Sequence, residues 1–156
     1  MLKNRISKNF KKKKVLITGH TGFKGTWLTL LMLILGAKVM GVSYGKKTKP
    51  SLFKILNLEK KIIHKNIDIR NFEKLKKTIN QFKPNFIFHL AAEAIVSRAY
   101  LNPLKTWTTN TLGTINILQI LNAIKFNVIT VFITSDKVYK NLELNRGYYE
   151  NDILGD

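Results

Sequence analysis

The sequence contains no cysteine, only three prolines and no long apolar run. Without cysteine the chain has no disulfide bond, no thiolate nucleophile and no thiolate zinc site. The longest apolar stretch, residues 27–35, is far shorter than the roughly 20 residues that cross a bilayer, so we predict no membrane span. The basic N-terminus leads into a strand pattern instead of an apolar signal core, so we expect no secretory signal and a cytoplasmic protein.

Acidic residues and arginine are also scarce. Nine Asp and Glu stand against 27 Lys and Arg, giving a net charge of +18, and only four of the basic residues are arginine. Such a charge attracts phosphates and other anions. Base recognition, however, relies on the arginine fork, and the lysines are spread along the whole chain. We therefore predict no nucleic-acid partner.

Apolar runs of strand length alternate with segments of helical period, which is typical of βαβ units in a parallel sheet. The pattern predicts strands at 14–18, 38–43, 62–67, 85–90 and 128–134. It predicts helices at 23–36, 71–82 and 104–125. The predicted fold class is α/β: a doubly wound parallel sheet, Rossmann-like and NAD(P)-binding, over residues 14–156, preceded by a basic extension at 1–13.

Three glycines follow the first predicted strand at a spacing of three: Gly19, Gly22 and Gly25. The start of a helix presents unpaired N–H groups and partial positive charge, which bind phosphate when no side chain blocks the approach. Gly19 is suited to a tight turn, Gly22 to close approach of a pyrophosphate and Gly25 to packing of the helix on the sheet. Three glycines alone are a weak signal, but their place between a strand and an apolar helix predicts a dinucleotide site.

The acidic residue that usually holds the adenosine ribose is missing from the end of the second strand. Ser43 stands there, followed by Lys46 and Lys47. A serine suits a ribose hydroxyl and the lysines suit a 2′-phosphate, so the residues leave NAD and NADP open. Asp68, after the third strand, is a candidate for the adenine amino group or for a helix N-cap.

Five segments in order carry a resemblance to a known family. They are TGHTGFKG at 18–25, DIRNFEKL at 68–75, FIFHLAAE at 86–93, NTLGTINIL at 110–118 and TSDKVY at 134–139. The chain resembles the extended short-chain dehydrogenases/reductases, and within them the CDP-glucose 4,6-dehydratases, over residues 13–156. The combination of His20, Phe23, Lys24 and Trp27 around the glycines with TSDK is the most specific part.

This resemblance implies bound NAD that takes hydride from C4 of a nucleotide sugar such as CDP-glucose, loss of water across C5 and C6, and return of the hydride to C6. It implies that Ser135 hydrogen-bonds the C4 oxygen, that Asp136 is the acid for the C6 hydroxyl and that Lys137 is the base at C5. A lysine acts as a base only where burial or a neighbouring cation lowers its pKa. Read without the resemblance, the three residues are a polar turn at a strand end.

The same resemblance implies further contacts. Coenzyme contacts are expected at His20, Phe23, Ile69, Leu90, Ala91 and Ala92. Asn110 is expected to support the site through backbone contacts, Gly113 to permit close helix packing, and Arg98 to meet nucleotide phosphates or a surface partner. His20 and His89 have no ligand partners at metal spacing, so both are also interpreted as structural and no metal is expected.

The chain also departs from the family pattern. Glu93 and Ala94 stand where Gln and Pro are expected, and a carboxylate there is expected to weaken binding. No tyrosine is followed by lysine at the fourth position, so the catalytic Tyr-x-x-x-Lys pair is absent.

We expect a sheet truncated after about five strands, an exposed apolar edge at 128–134, no dehydratase turnover by the chain alone and a possible homodimer through 104–125. The alternatives are an NAD(P)-binding module and an epimerase or reductase of the same superfamily.

Overall fold

The structure, a computed structural model, describes residues 2–45 and 50–155; the side chains of residues 2–5 and of Asp136 lie outside this description. Lys46 and Lys47, the sequence candidates for a 2′-phosphate, also lie outside it. Five strands are present: β1 (Lys14–Thr18), β2 (Lys38–Ser43), β3 (Ile63–Asn66), β4 (Phe86–His89) and β5 (Ile129–Phe132). All are paired in parallel in the order β3-β2-β1-β4-β5, which confirms the predicted doubly wound sheet.

Seven helices accompany the strands in the described residues. They are α1 (Leu2–Phe10), α2 (Phe23–Ile34), α3 (Leu52–Ile55), α4 (Phe72–Phe82), α5 (Val96–Leu101), α6 (Pro103–Trp107) and α7 (Gly113–Ala123). Short 3-10 turns lie at Leu58–Lys60 and Asp136–Val138. The helix predicted over 104–125 is interrupted, because a π turn at Thr108–Leu112 separates α6 from α7. Such a turn inserts extra backbone in a helix and is frequent near functional sites.

The core lies on both faces of β1. Val15 and Ile17 pack on one face with α2, whereas Leu16 packs on the other with α4 and α7, because successive strand residues point to opposite sides. Asn71 begins α4 by accepting a hydrogen bond from the Lys74 N–H at 3.0 Å, as predicted.

The basic N-terminal segment contains a helix that the sequence pattern did not predict. Phe10, at the end of α1, packs on Phe86 with ring centroids 4.8 Å apart. The Lys38 N–H then donates to the Lys13 carbonyl at 2.8 Å, which ties the segment to the start of β2. α1 therefore covers the amino ends of the strands, away from the edge at which α/β sheets bind ligands.

The last strand is exposed and apolar, as expected. β5 occupies one edge of the sheet, and Ile129 is 61% exposed. No helix within residues 2–45 and 50–155 has the length and apolar character required to span a bilayer.

The fold predicts a contrast between two isoleucines in helices. Ile79 in α4 is fully buried, whereas Ile34 in α2 is 62% exposed. Ile79→Ala is expected to lower the free energy of unfolding by about 2–5 kcal/mol, because it leaves a cavity in the core. Ile34→Ala is expected to change it by less than about 0.5 kcal/mol. Urea unfolding of both variants measures the difference, and equal effects would contradict this packing.

Candidate functional site at the carboxyl edge of the sheet

Gly19 turns the chain off β1 between the ends of β2 and β4. Its φ is +73°, in the left-handed region that favours glycine. Its N–H donates to the Val42 carbonyl at 2.8 Å. A Cβ atom at this position would lie 2.8 Å from the Ala91 nitrogen. The predicted tight turn at Gly19 is thus confirmed, and the close approach to the β4 loop gives glycine a second reason to be there.

Gly22 and Gly25 have different surroundings. Gly22 caps α2 in an extended conformation, with φ of −73°, and it is exposed. A Cβ on Gly25 would lie 2.2 Å from the Gly19 carbonyl oxygen. Gly25 therefore lets the helix pack on the backbone of the preceding loop, and not directly on the sheet as predicted. The start of α2 remains open to a ligand beside Gly22, and Phe23, the next residue, is also exposed.

His20 is one half of a histidine pair. No sequence pattern indicated this partner, and the pairing is compatible with the structural role expected of His20. Its Nε2 lies 2.7 Å from His64 Nδ1 and its Nδ1 lies 2.9 Å from Ser43 Oγ. The side chain is fully buried, so only the His20 main chain is placed to meet a ligand at the loop.

Ser43 lies at the end of β2, where the sequence placed a ribose contact. Its oxygen accepts a hydrogen bond from the Thr21 hydroxyl at 3.1 Å. Both residues line a cavity of about 350 Å³ together with Gly45, Glu59, His64 and Asn66. The missing acidic residue is thus replaced by two hydroxyl groups supported from behind by imidazoles.

Asp68 is held in its own turn and is not the cap of α4, a role that Asn71 fills. Its carboxylate accepts from the Arg70 N–H at 2.9 Å and pairs with the Arg70 guanidinium at 2.6 Å. This hydrogen-bonded guanidinium holds the pKa of Asp68 below its ordinary value. Asp68 therefore stays ionised and acts only as an acceptor, beside a cavity of about 630 Å³ that Arg70 and Thr108 also line.

Ile69, a predicted coenzyme contact, has its side chain in the core. It is 4% exposed. A Cβ on Gly113 would lie 2.3 Å from its Cδ1, which confirms that Gly113 allows close packing of α7. The Ile69 carbonyl accepts a hydrogen bond from Asn116 Nδ2 at 2.9 Å.

The end of β4 is fastened to β1 by the buried hydroxyl of Thr18. The N–H groups of Leu90 and Ala91 donate to Thr18 Oγ1 at 3.1 and 3.2 Å. Thr18 Oγ1 also lies 2.7 Å from His89 Nδ1. Because Thr18 Oγ1 accepts two amide hydrogens, its own hydrogen is directed to His89 Nδ1, which must then be unprotonated. Leu90 and Ala91 are half-buried and Ala92 is exposed. The segment lies against Gly19, and its coenzyme contacts stay a prediction.

His89 extends this chain of hydrogen bonds to α7. Its Nε2 lies 3.1 Å from Thr114 Oγ1, and the Thr114 hydroxyl donates to the Asn110 carbonyl at 2.7 Å. Burial lowers the pKa of His89 to about 4, because charge is poorly solvated there. The interpretation of His89 as a structural residue agrees with this geometry.

Asn110, in the π turn, supports the loop after β4. Its Oδ1 accepts from the Glu93 N–H at 2.8 Å and its Nδ2 donates to the Glu93 carbonyl at 3.3 Å. The Glu93 carboxylate pairs with Lys105 Nζ at 2.6 Å. The expected cost of a carboxylate at this position is therefore reduced, since its charge is neutralised from α6.

The predicted catalytic segment follows β5. Ser135 Oγ accepts from the Lys137 N–H at 3.0 Å and so begins the 3-10 turn of Asp136–Val138. Ser135 and Lys137 are exposed, and the Asp136 side chain is outside the described residues. Arg98 is exposed on α5. Within the described ranges, no group of three or more His, Asp or Glu side chains is arranged to hold a metal ion.

Several site residues gave no signal in the sequence. Thr18, Thr114 and Lys105 are common residue types whose roles depend on the contacts of distant strands and helices. His64 pairs with His20 from 44 residues away. Its place within the predicted third strand, 62–67, is the one signal that could have put it beside the second strand.

The parallel sheet with its glycine turn at the carboxyl edge of β1 defines a Rossmann-like fold. The family model for GDP-mannose 4,6 dehydratase matches residues 16–152, and this chain belongs to that family.

Individual relatives agree with this assignment. The chain is 44% identical over 151 residues to a CDP-glucose 4,6-dehydratase of Salmonella typhimurium, covering 96% of this chain and 42% of that protein. Among solved structures it is similar to the epimerase Mth375 of Methanothermobacter thermautotrophicus, with a TM-score of 0.79, 24% identity and coverage of 98% of this chain and 44% of that one. It is also similar to a UDP-glucose 4-epimerase of Thermus thermophilus in complex with NAD, with a TM-score of 0.60, 26% identity and coverage of 69% and 33%. The chain thus spans less than half the length of these relatives.

The low pKa of His89 predicts a pH-dependent stability. Its ordinary value is 6.5 and its folded value about 4, so between these pH values the unfolded chain binds a proton that the folded chain does not. The free energy of unfolding should therefore fall by roughly 3 kcal/mol from this group as the pH drops from 7 to 4, and level off below. Urea unfolding across this range should show a steeper fall for the wild type than for His89→Gln. Equal slopes would contradict the assignment.

Proposed function

We propose that this chain binds a nicotinamide dinucleotide and forms the coenzyme-binding, N-terminal part of a nucleotide-sugar 4,6-dehydratase. The observation that carries the proposal is the open start of α2, where Gly22 places only hydrogen beside the first main-chain amides of the helix. These amides and the helix dipole favour a diphosphate. The NAD bound to the similar Thermus epimerase and the name of the Salmonella relative support it.

The residues present fit a dinucleotide. Gly19 brings the β4 loop against the start of α2, and Ser43 and Thr21 line the cavity at the end of β2, where the adenosine ribose lies in such folds. We propose NAD as the coenzyme, with NADP as the alternative. The coenzyme supplies reversible hydride transfer through its nicotinamide ring.

The proposed substrate is a nucleotide sugar, CDP-glucose in particular, which is the substrate in the name of the Salmonella relative. Ser135 would hydrogen-bond the sugar C4 oxygen, and Asp136 and Lys137 would serve as acid and base. Lys137 is exposed, so its role as a base requires that a bound substrate or further protein cover it. The proposed location is the cytoplasm.

A pair of chains is also proposed. Leu104, Trp107, Leu112 and Leu118, on the helical segment 103–123, are each at least 50% exposed. Large exposed apolar side chains on one segment favour a protein interface. A second copy of this chain is the proposed occupant, and its oligomeric state in solution tests it.

Gly22 offers a variant that separates binding from folding. Its extended backbone is open to any residue, and a Cβ would meet only the Gly19 carbonyl oxygen, at 3.3 Å. Gly22→Leu should therefore fold while blocking the diphosphate, weakening NADH binding by at least about tenfold in calorimetric titration. Gly147→Leu, where a Cβ meets nothing within 4 Å, is the matched control and should bind as the wild type does. Undiminished NADH affinity in Gly22→Leu would refute the proposed site.

Sequential titration separates the candidate functions. Binding of NADH followed by CDP supports the dehydratase part, whereas NADH alone supports a coenzyme-binding module. Stronger binding of UDP than of CDP supports an epimerase. Because none of the five tyrosines has lysine at the fourth following position, the 156-residue chain is expected to form no 4-keto sugar from CDP-glucose. Formation of that product would contradict this part of the proposal.

A further inference from the structure

A chain of polar contacts runs from the candidate ribose cavity into the protein and back to its rim. The Thr21 hydroxyl donates to Ser43 Oγ, which lies 2.9 Å from His20 Nδ1. His20 Nε2 lies 2.7 Å from His64 Nδ1. His64 Nε2 is then 4.0 Å from the Glu59 carboxylate, which lines the same cavity. Five side chains therefore connect a hydroxyl at the ligand surface to a carboxylate.

The middle of this chain is held rigidly. A Cβ on Gly41 would lie 2.3 Å from His20 Cγ, so the imidazole occupies the space that a β2 side chain would fill. Gly41 is paired with His64 across the sheet, which puts the two imidazoles together. The Phe53 ring packs edge-on against His20 at 5.0 Å. His20 therefore has little free space around its ring and stays in contact with His64.

The groups that face His64 within the described ranges come from four elements. His20 reaches it from the loop after β1, and Glu59 from the 3-10 turn at Leu58–Lys60. β2 presents Gly41 and α3 presents Phe53, neither of which carries charge. Glu59 is therefore a charge placed to orient the imidazole proton.

In the neutral pair, the carboxylate favours a hydrogen on His64 Nε2. The hydrogen between the rings then belongs to His20 Nε2, because His64 Nδ1 must accept, and His20 Nδ1 is bare. Ser43 donates its hydroxyl hydrogen to that nitrogen. Its oxygen also accepts from the Thr21 hydroxyl at 3.1 Å and from the Thr21 N–H at 3.4 Å, so in this state Ser43 directs no hydrogen into the cavity and offers no donor to a phosphate.

One added proton reverses this pattern. Three of the four ring nitrogens already carry or share a hydrogen. The added proton therefore leaves His20 Nδ1 protonated, whichever of the two rings carries the positive charge. His20 then donates to Ser43, whose own hydrogen is released to point into the cavity. The imidazolium also offsets the negative charge of Glu59, so that a phosphate becomes acceptable there.

We propose that His64 is a positioning residue that sets the hydrogen-bond polarity of Ser43 and thereby selects between the 2′-hydroxyl of NAD(H) and the 2′-phosphate of NADP(H). This inference rests on the proposed coenzyme site. Imidazole is the side chain whose ordinary pKa lies between pH 5 and 8, so the selection is tested across that range.

The reversal itself is testable without coenzyme. The chain has three histidines, and burial keeps His89 neutral because its pKa is about 4. In nitrogen-15 spectra of the imidazoles, His20 Nδ1 should be bare at pH 8.5 and protonated at pH 5.5. An Nδ1 that is bare at both pH values, or protonated at both, would overturn the inference even if NAD(H) binds well.

Coenzyme selection gives the second measurement. The ratio of the Kd for NADPH to the Kd for NADH should fall by about tenfold between pH 8.5 and pH 5.5 in the wild type. In His64→Asn, which keeps a polar atom near Nδ1 but does not titrate, the ratio should not fall. The 2′-phosphate itself loses negative charge as the pH falls through about 6, which weakens NADPH binding and raises the ratio. This effect opposes the expected fall, so it does not account for a fall that is observed.

Ser43→Ala is the second variant, and it removes the hydroxyl while leaving both histidines. Most of the change in the ratio should disappear in it. A tenfold fall that persists in either variant would overturn the inference. Failure of the wild type to bind either coenzyme would instead refute the proposed function, and the spectra would still decide the reversal.

Discussion

The buried hydroxyl of Thr18 is the contact on which the arrangement of this edge depends. It accepts hydrogens from two amides at the end of β4 and passes its own to His89, which continues through Thr114 to the backbone of Asn110. The β4 loop, the first strand and the π turn are thereby fixed relative to one another. This order requires a neutral imidazole with its hydrogen on Nε2, and burial ensures it by making the cation unfavourable.

Two series of hydrogen bonds flank β1, one through His89 and one through His20 and His64. They differ in whether a charged side chain lies at their end. His89 is 4% exposed and has hydroxyl groups on both ring nitrogens, so its chain has one stable direction. The His20–His64 chain ends at a carboxylate on a cavity wall and contains a half-buried imidazole. A positive charge there would lie beside an opposite charge, which the hydroxyl groups around His89 do not supply. The same hydrogen-bonding groups therefore build a fixed support on the side of β4 and a reversible one on the side of β2.

The sequence predicted the features that local patterns determine. Strand runs, the glycine turn at Gly19 and the cap at Asn71 each depend on neighbouring residues and were found in place. The sequence did not predict α1, the π turn or the His20–His64 pair. The pair arises only when β3 lies beside β2 in a register that sets His64 opposite Gly41, and no local pattern encodes that register. The roles of Ser135, Asp136 and Lys137 remain predictions from the resemblance.

The placement of the acidic residues is compatible with the proposed anion site in a strongly basic chain. Asp68 is paired with Arg70 and Glu93 with Lys105, so these two carboxylates bring cations of their own and little net field. An anion approaching this edge therefore meets the exposed amides of α2 without a large opposing charge. Scattered lysines attract anions to the whole surface, with charge on flexible stems. The helix start beside Gly22 offers directed amide donors. Backbone geometry thus determines where along the edge an anion would bind, whereas the overall charge brings anions to the surface.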